Sequence, residues 1–221
     1  MLKIKIFLIS ILALLPSVLC QAGKAPPDTI SARRAFLEMP VGKLDLLSKN
    51  TRFDMLVYYD NDSIYQATNN LKGMASLQTV TDNYLSVRLT DASTLQIRIL
   101  PLKNGNDIVM TIYTTGREGD ALDSSIRFYN TKFEELPTEK FFREPKLSLF
   151  FQTKGYKTNM KEIEDMLPFY SIYYQANPDN CNITGKLTLG DILTMEDQRL
   201  VEMFLKENVT FVWNGSKFKE K

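Results

Sequence analysis

The side chains that could perform catalysis in this sequence are mainly carboxylates, because its 221 residues include no histidine. Imidazole is the usual general base near neutral pH and the commonest metal ligand, so Ser-His-Asp, Cys-His and histidine-based metal sites are excluded. A glycosidase holds two carboxyl groups about 5 to 9.5 Å apart across its substrate. The catalytic function that the sequence permits is therefore a carboxylate-dependent hydrolase of glycans or peptides. Its closely spaced acids are Asp60 and Asp62, Asp120 and Asp123, and Glu134 and Glu135.

Two other motifs lack the residues that their chemistry requires. Asp60-Asn61-Asp62 resembles the start of a calcium loop, but the sixth residue is Tyr65 instead of glycine and the twelfth is Leu71 instead of glutamate. The segment at 116–119 has two glycines without the spacing or the Lys-Ser/Thr ending of a phosphate-binding loop. The sequence therefore predicts no metal site, no cofactor and no catalytic residue, which favours a protein that is not an enzyme.

The second available chemistry is binding by cationic and aromatic side chains. Residues alternate between apolar and polar from 84 to 89, which places Arg88 on the polar face of a strand. Arg98 and Arg127 are predicted on the same polar face, and strand alternation directs Tyr113 and Tyr129 outward. The predicted contact surface for a partner comprises Arg88, Arg98, Tyr113, Arg127 and Tyr129.

One predicted hairpin positions Arg98 and Tyr113. Asn104-Gly105 favours a two-residue type I′ turn, in which the numbers of facing residues sum to 209. This register pairs Ile97 with Ile112 on a buried face, and Arg98 with Thr111 on an open polar face. The predicted contact surface depends on this register.

The surrounding elements form an α+β fold. Helical patterns between residues 28 and 60 precede strand-like runs from 63 to 130, joined by links too short for parallel crossovers. We therefore predict N-terminal helices packed on a largely antiparallel meander sheet over residues 23–137. Residues 138–221 are predicted to form a smaller α+β part, which either continues the first sheet or stands apart from it.

The C-terminal part contains two segments without a clear period. Residues 138–155 are aromatic and basic, and Lys217, Lys219 and Lys221 form a basic tail that we interpret as a solvated terminus. Cys181 lies in a turn-like string, Pro178-Asp179-Asn180-Cys181. It is interpreted as an ordinary thiol, because removal of a leader that contains Cys20 would leave it without an intramolecular partner.

The first 22 residues have the three parts of a secretory leader. Lys3 and Lys5 precede an apolar run from 6 to 15, which is shorter than the roughly 20 residues of a membrane-spanning helix. Cys20 would accept a lipid after cleavage by a lipoprotein peptidase, but the bulky Leu19 before it favours ordinary cleavage after Cys20 or Ala22. We expect an exported protein, periplasmic or extracellular, without a transmembrane span in the mature chain.

Charge argues against nucleic acid as a partner. The chain has 27 basic and 26 acidic residues, and removal of Lys3 and Lys5 with the leader leaves 25 against 26. Proteins that bind nucleic acid usually show a clear basic excess, because their affinity comes largely from neutralising phosphates. The expected partner is therefore an unknown protein or glycan in the envelope, and the oligomeric state stays open.

Five short strings resemble a known group of proteins. They are ARRAFLEMP at 32–40, TDNYL at 81–85, LP at 100–101, SIRFY at 125–129 and FEELP at 133–137. Together they resemble a Bacteroidales family of exported proteins of unknown function, with the match strongest over residues 30–150. The resemblance implies a leader, an α+β body and a bacterial envelope setting, without an established activity or catalytic residues.

The sequence therefore favours an exported envelope protein of unknown biochemical function, acting as a non-enzymatic binding or scaffold module. The alternative is the carboxylate-dependent hydrolase, which would need two acids converging in a cleft. An inhibitor of an envelope or host hydrolase is a third possibility, and it differs by forming a tight complex without turnover.

Overall fold

A computed structural model of the protein describes residues 26–63, 65–117, 121–152, 160–167, 169–189 and 193–221. The predicted leader and Asp120 lie outside the described residues. The helices are α1 (Ala32–Glu38), α2 (Lys49–Asp60), α3 (Thr138–Phe141), α4 (Met160–Met166) and α5 (Met195–Glu202). The strands are β1 (Ala67–Thr68), β2 (Met74–Val80), β3 (Tyr84–Thr90), β4 (Ser93–Pro101), β5 (Asp107–Thr115), β6 (Asp123–Tyr129), β7 (Glu135–Leu136), β8 (Ser171–Ala176), β9 (Ile183–Thr188), β10 (Val209–Trp213) and β11 (Phe218–Glu220). None of the helices in these ranges is long and apolar enough to cross a membrane.

Strands β1 to β7 form one antiparallel sheet, in which each strand pairs with its neighbours along the chain. Strands β8 to β11 form a second antiparallel sheet in the order β11-β10-β9-β8. These strands hydrogen-bond among themselves, so the second sheet is not an extension of the first within the described residues. The helices, the meander and the smaller C-terminal part confirm the predicted α+β class.

Helices α1 and α2 begin at serine residues that cap them. The Ser31 hydroxyl accepts a hydrogen bond from the backbone N–H of Arg34, and the Ser48 hydroxyl accepts one from that of Thr51. The apolar side of α1, including the fully buried Phe36, packs on the meander. Caps and apolar periodicity together explain why the helical layer is predictable from the sequence.

A buried arginine connects these two helices. Arg52 Nη1, on α2, donates hydrogen bonds to the carbonyl oxygens of Phe36 at 2.6 Å and Met39 at 2.7 Å. Carbonyls at the end of a helix have no intrahelical partner, so the guanidinium satisfies groups that would otherwise be unpaired. Burial lowers the pKa of Arg52.

The β4–β5 hairpin differs from the predicted register by one residue. The numbers of facing residues sum to 208, so Arg98 faces Met110 and Ile97 faces Thr111. Gly105 has a φ of +91°, and its N–H donates to the carbonyl oxygen of Leu102. This geometry is that of a three-residue loop, in which a type I turn is followed by a left-handed residue. The predicted two-residue turn is therefore wrong.

This shift changes which side chains share a face. Because facing residues of an antiparallel pair point to the same side, Arg98 lies with Met110 and Phe128, whereas Ile97 lies with Thr111. The Arg98 side packs against the second sheet, and the Ile97 side packs against α1 and α2. The molecule thus has three layers, and the predicted open polar face of the meander is wrong because the second sheet covers it.

Aromatic side chains fill the space between the two sheets. The Phe142 ring lies edge to face with the rings of Tyr174, Phe211 and Phe218, with centroid distances of 5.3, 5.2 and 6.0 Å. Phe128 of the meander contacts the Phe141 ring at 5.0 Å. These contacts fix α3 and the segment after it beside the second sheet.

Candidate binding groove

Arg98, a predicted contact residue, is an internal connection between the sheets. Its side chain is buried, with 3% of its surface exposed. Nη1 donates to the carbonyl oxygen of Pro178 at 3.1 Å, and Nη2 contacts Cys181 Sγ at 3.6 Å. The placement of Arg98 on an open surface is therefore wrong, because the turn between β8 and β9 covers it.

Gln96, a polar neighbour of Arg98, also connects the two sheets. Gln96 Oε1 accepts hydrogen bonds from the Tyr84 hydroxyl at 3.2 Å and from the backbone N–H of Ala176 at 2.9 Å. Gln96 Nε2 donates to the carbonyl oxygen of Tyr174 at 3.2 Å. Burial raises the pKa of Tyr84. These hydrogen bonds therefore fix the position of β8 on the face of the meander.

Arg88 lies apart from the other predicted contact residues. It is half-buried and lines a hollow of about 410 Å³ beside α2, with Met55, Tyr59 and Tyr65. Its Nε is buried without a hydrogen-bond partner among the described residues. The structure does not bring Arg88 together with Arg98.

The remaining three predicted residues meet on the helical side of the meander. Tyr113, Arg127 and Tyr129 line a groove of about 340 Å³ together with Lys43, which we call the helix-side groove. The Arg127 side chain is 60% exposed. Tyr129 is buried, and Lys43 Nζ lies 4.7 Å from its ring centroid, so the prediction that Tyr129 is exposed is wrong. Glu135 lies 3.6 Å from Lys43 and 4.0 Å from Arg127.

A larger groove, of about 770 Å³, lies beside β11. We call it the edge groove, and define it by residues 139–146, 148–149, Lys206, Phe211 and 217–220. Its basic residues are Lys140, Arg143, Lys146, Lys206, Lys217 and Lys219. Its acidic residues are Glu139, Glu144 and Glu220, which leaves an excess of three positive charges.

Aromatic side chains of the core form the floor of the edge groove. Phe142, Phe211 and Phe218 contribute to its lining, although 5 to 7% of each residue is exposed. On one side, α3 follows Pro137, and the chain then continues through the exposed Arg143, Glu144 and Lys146. Contact between the Phe142 and Phe218 rings therefore joins two separate cationic segments at the floor of the groove.

The positive charges of the edge groove outnumber the negative charges that line it. None of its six basic residues forms an ion pair with another described residue. Lys206 Nζ donates to the carbonyl oxygen of Leu149 at 2.8 Å, and Lys140 Nζ lies 5.5 Å from the Phe141 ring centroid. Clustered like charges in a concave, low-dielectric setting produce a strong local potential. The arrangement can attract an anionic ligand.

A buried phenol lies next to the floor. The Tyr174 ring contacts the rings of Phe142 and Phe211, and its hydroxyl has no hydrogen-bond partner among the described residues. Burial raises the pKa of Tyr174 strongly, with a smaller contribution from the charge of Glu144. The phenol is therefore neutral and adds no negative charge beside the edge groove.

The candidate catalytic acids within the described residues are exposed at the surface. Asp60 pairs with Arg33, whose hydrogen bond lowers the pKa of Asp60, and Glu134 accepts a hydrogen bond from Asn130. Burial raises the pKa of Asp107, but neither Asp60 nor Asp107 lines the three grooves. No cluster of three potential metal-ligating residues occurs in the described part of the chain.

A family model described as "Protein of unknown function (DUF3256)" matches residues 28–218. The chain belongs to this family. The structure titled "Structure of a domain of an uncharacterized protein from Porphyromonas gingivalis W83" matches with a TM-score of 0.71 and 19% sequence identity, over 86% of this chain and 96% of that chain. At this identity the likeness shows the fold alone. No curated protein matches.

Membership of the DUF3256 family confirms the predicted resemblance to a family of unknown function. The DUF3256 match extends from the segment before α1 to the first residue of β11, so it includes both sheets. The sequence did not predict the edge groove of this DUF3256 protein. The available signal was the cationic and aromatic composition of residues 138–155, together with Lys217 and Lys219, which were interpreted as a solvated tail.

Proposed function

We propose that the protein is an exported, non-enzymatic binding module of a bacterial cell envelope, and that it holds an anionic ligand in the edge groove. The observation that carries this proposal is the excess of three positive charges around a groove of about 770 Å³. This volume lies within the range of about 300 to 1,000 Å³ that is typical of ligand sites.

Two features support binding rather than catalysis at the edge groove. Its basic side chains come from separate segments on a rigid aromatic floor, an arrangement that recognises an anion over an extended area. In addition, the two acids with shifted pKa values among the described residues, Asp60 and Asp107, lie outside the groove. A hydrolase of the proposed carboxylate type would need perturbed acids within the cleft.

Export is supported by the sequence of residues 1–22, which combines Lys3 and Lys5 with a short apolar run. The similarity to a domain from Porphyromonas gingivalis W83 supports a bacterial setting. Intact mass of the protein purified from its natural host tests this part of the proposal. Cleavage after Cys20 or Ala22 is the expected result, whereas a chain that retains residues 1–22 contradicts export by this route.

Binding of anionic polymers to the mature protein tests the ligand class. We expect labelled polyglutamate or polyuronate to bind, and the triple variant Lys140→Glu, Arg143→Glu, Lys146→Glu to weaken binding at least tenfold. A control with the same charge change is Lys49→Glu, Lys72→Glu, Lys186→Glu, since these exposed lysines lie outside the edge groove. Equal loss in both variants, or no binding to the wild type, would contradict the proposal.

The helix-side groove is a second contact surface in this proposal. The supporting observation is that Tyr113 and the exposed Arg127 line it together with Lys43. Arg127→Glu is expected to weaken binding of a partner at this groove without changing polyglutamate binding at the edge groove. A partner complex that tolerates both Arg127→Glu and Tyr113→Ala contradicts a role for this surface.

A further inference from the structure

We propose that the ligand of the edge groove is an extended acidic peptide segment, which adds to the second sheet as a strand beside β11. This inference rests on the proposed function and specifies its ligand. The peptide would hydrogen-bond to the main chain of β11, and its acidic side chains would face the lysines of the groove.

The first observation is that β11 is an edge strand. It ends the order β11-β10-β9-β8, and no strand pairs with its outer side among the described residues. Edge strands present unpaired N–H and C=O groups that can pair with another chain. Addition of a peptide strand to such an edge is a recurring mode of recognition.

The direction of the free main-chain groups follows from the hydrogen bonds to β10. The Lys217 carbonyl accepts a hydrogen bond from Asn214 N–H at 3.2 Å, and Lys221 N–H donates to the Thr210 carbonyl at 3.0 Å. Main-chain groups alternate in direction along an antiparallel strand, so those of Phe218 and Glu220 point to the outer edge. Three strand residues offer a ladder of roughly 10 Å at about 3.3 Å per residue.

The second observation is the position of the groove. The edge groove is lined by residues 217–220, at the β11 edge, and by residues 139–146 and 148–149, so these two segments form its walls. An added strand lies about 4.7 to 4.9 Å from its neighbour, and so would occupy the space between these walls. A ligand in this space contacts the β11 edge and the cationic segment after α3 at the same time.

The third observation concerns the charge pattern along β11. Lys217 and Lys219 alternate with Phe218 and Glu220, so the two lysines lie on one face and the two other residues on the opposite face. Side chains directly opposite each other in a strand pair interact, and opposite charges stabilise the pair. The expected ligand therefore alternates acidic residues, which face the lysines, with apolar residues.

Burial of the floor favours a peptide over a glycan. A sugar ring that stacks on protein needs an exposed aromatic face, but 5 to 7% of Phe142, Phe211 and Phe218 is exposed. The free main-chain donors and acceptors of β11 instead match those of a second strand. An acidic glycan is the competing outcome of the experiment below.

The experiment measures fluorescence anisotropy of a labelled peptide with alternating glutamate and valine, titrated with the wild-type mature protein. Two further peptides carry N-methyl groups on alternate amides, one on the odd residues and one on the even residues. Because one edge of the peptide faces β11, we expect one methylated peptide to lose at least tenfold in affinity and the other to retain most of it. The same peptide with lysine in place of glutamate is expected not to bind.

Variants locate the site. We expect Lys217→Glu with Lys219→Glu to weaken binding at least tenfold, and the control pair Lys49→Glu with Lys72→Glu to leave binding within twofold. The methylated peptides use the wild-type protein, so they test the inference even if the charge variants unfold.

The outcomes separate this inference from the proposed function. If polyuronate binds the edge groove but the peptide does not, the peptide inference fails and the proposed function stands. Equal binding of both methylated peptides overturns strand addition. If no anionic probe binds, both the inference and the proposed function fail.

Discussion

Arg98 Nη1 donates a hydrogen bond to the carbonyl oxygen of Pro178, 3.1 Å away, and so connects the meander to the second sheet. The two residues are separated by 80 positions in the chain. A polar residue that the alternation pattern assigned to an open face is therefore part of the contact between layers. The stability of the three-layer arrangement depends on it.

Truncation of Arg98 is expected to destabilise the protein. Arg98→Ala removes the charged hydrogen bond to Pro178 and leaves a cavity between the sheets, which together cost about 3 kcal/mol. Urea unfolding followed by circular dichroism measures this change. The exposed Arg127→Ala is the control, with an expected change within about 0.5 kcal/mol. Equal effects of the two variants would refute the internal role of Arg98.

Removal of two buried hydroxyls is expected to change the free energy of unfolding in opposite directions. The Tyr174 hydroxyl has no partner among the described residues, so Tyr174→Phe relieves a desolvation cost and raises the free energy of unfolding by about 1 kcal/mol. The Tyr84 hydroxyl donates to Gln96, so Tyr84→Phe lowers the free energy of unfolding by about 1 kcal/mol. Chemical denaturation of both variants in parallel tests the pair. A loss of stability in Tyr174→Phe would indicate a hydrogen bond that the structure does not show.

Gly105 is expected to tolerate no side chain without strain. Its φ of +91° is unfavourable for other residues, although the nearest atom to an added Cβ is Pro27 Cγ at 3.6 Å. Gly105→Ala should therefore cost about 1 to 2 kcal/mol through backbone strain alone. Gly42→Ala is the control, because an added Cβ meets nothing within 4 Å there and the unfolded chain loses entropy. Thermal unfolding that ranks Gly105→Ala as the more stable variant would contradict the three-residue loop.

Asp107 is expected to make the protein more stable as the pH falls. Burial raises the pKa of its carboxyl above the unfolded value of about 3.9. Between these two values the folded state binds more protons than the unfolded state, so stability decreases as the pH rises through this window. Asp107→Asn keeps an acceptor for the Ile30 N–H and should remove this dependence. Urea unfolding from pH 4 to 7 tests it, with the exposed Asp91→Asn as the control, and an unchanged profile in Asp107→Asn would contradict the assignment.

The elements of the fold were predictable because their signals are local. The apolar periodicity between residues 28 and 60 predicts the helices of the first part, and the alternation around Arg88 predicts its strands. The register was not predictable, because Asn104-Gly105 is compatible with both a two-residue turn and a three-residue loop. The difference moves Thr111 and Tyr113 to the face opposite Arg98. Burial of the Arg98 face depends on strands about 80 residues later.

The edge groove was not predictable because its walls are separate in sequence. Residues 139–149 have no helical or strand period, and Lys217 and Lys219 near the last residue resemble a solvated tail. The packing of Phe142 against Phe211 and Phe218 brings the two segments together. Three of the five predicted contact residues line the helix-side groove, on the face of the meander opposite Arg98.

Mapping of amide chemical shifts tests the central claim most directly, namely that the edge groove binds an anionic ligand. The measurement titrates polyglutamate into the ¹⁵N-labelled mature protein at physiological ionic strength. The account predicts that the shift changes concentrate at residues 139–149 and 217–220 and disappear in the variant Lys140→Glu, Arg143→Glu, Lys146→Glu. Shift changes concentrated at Lys43 and Arg127, or none anywhere, would contradict it.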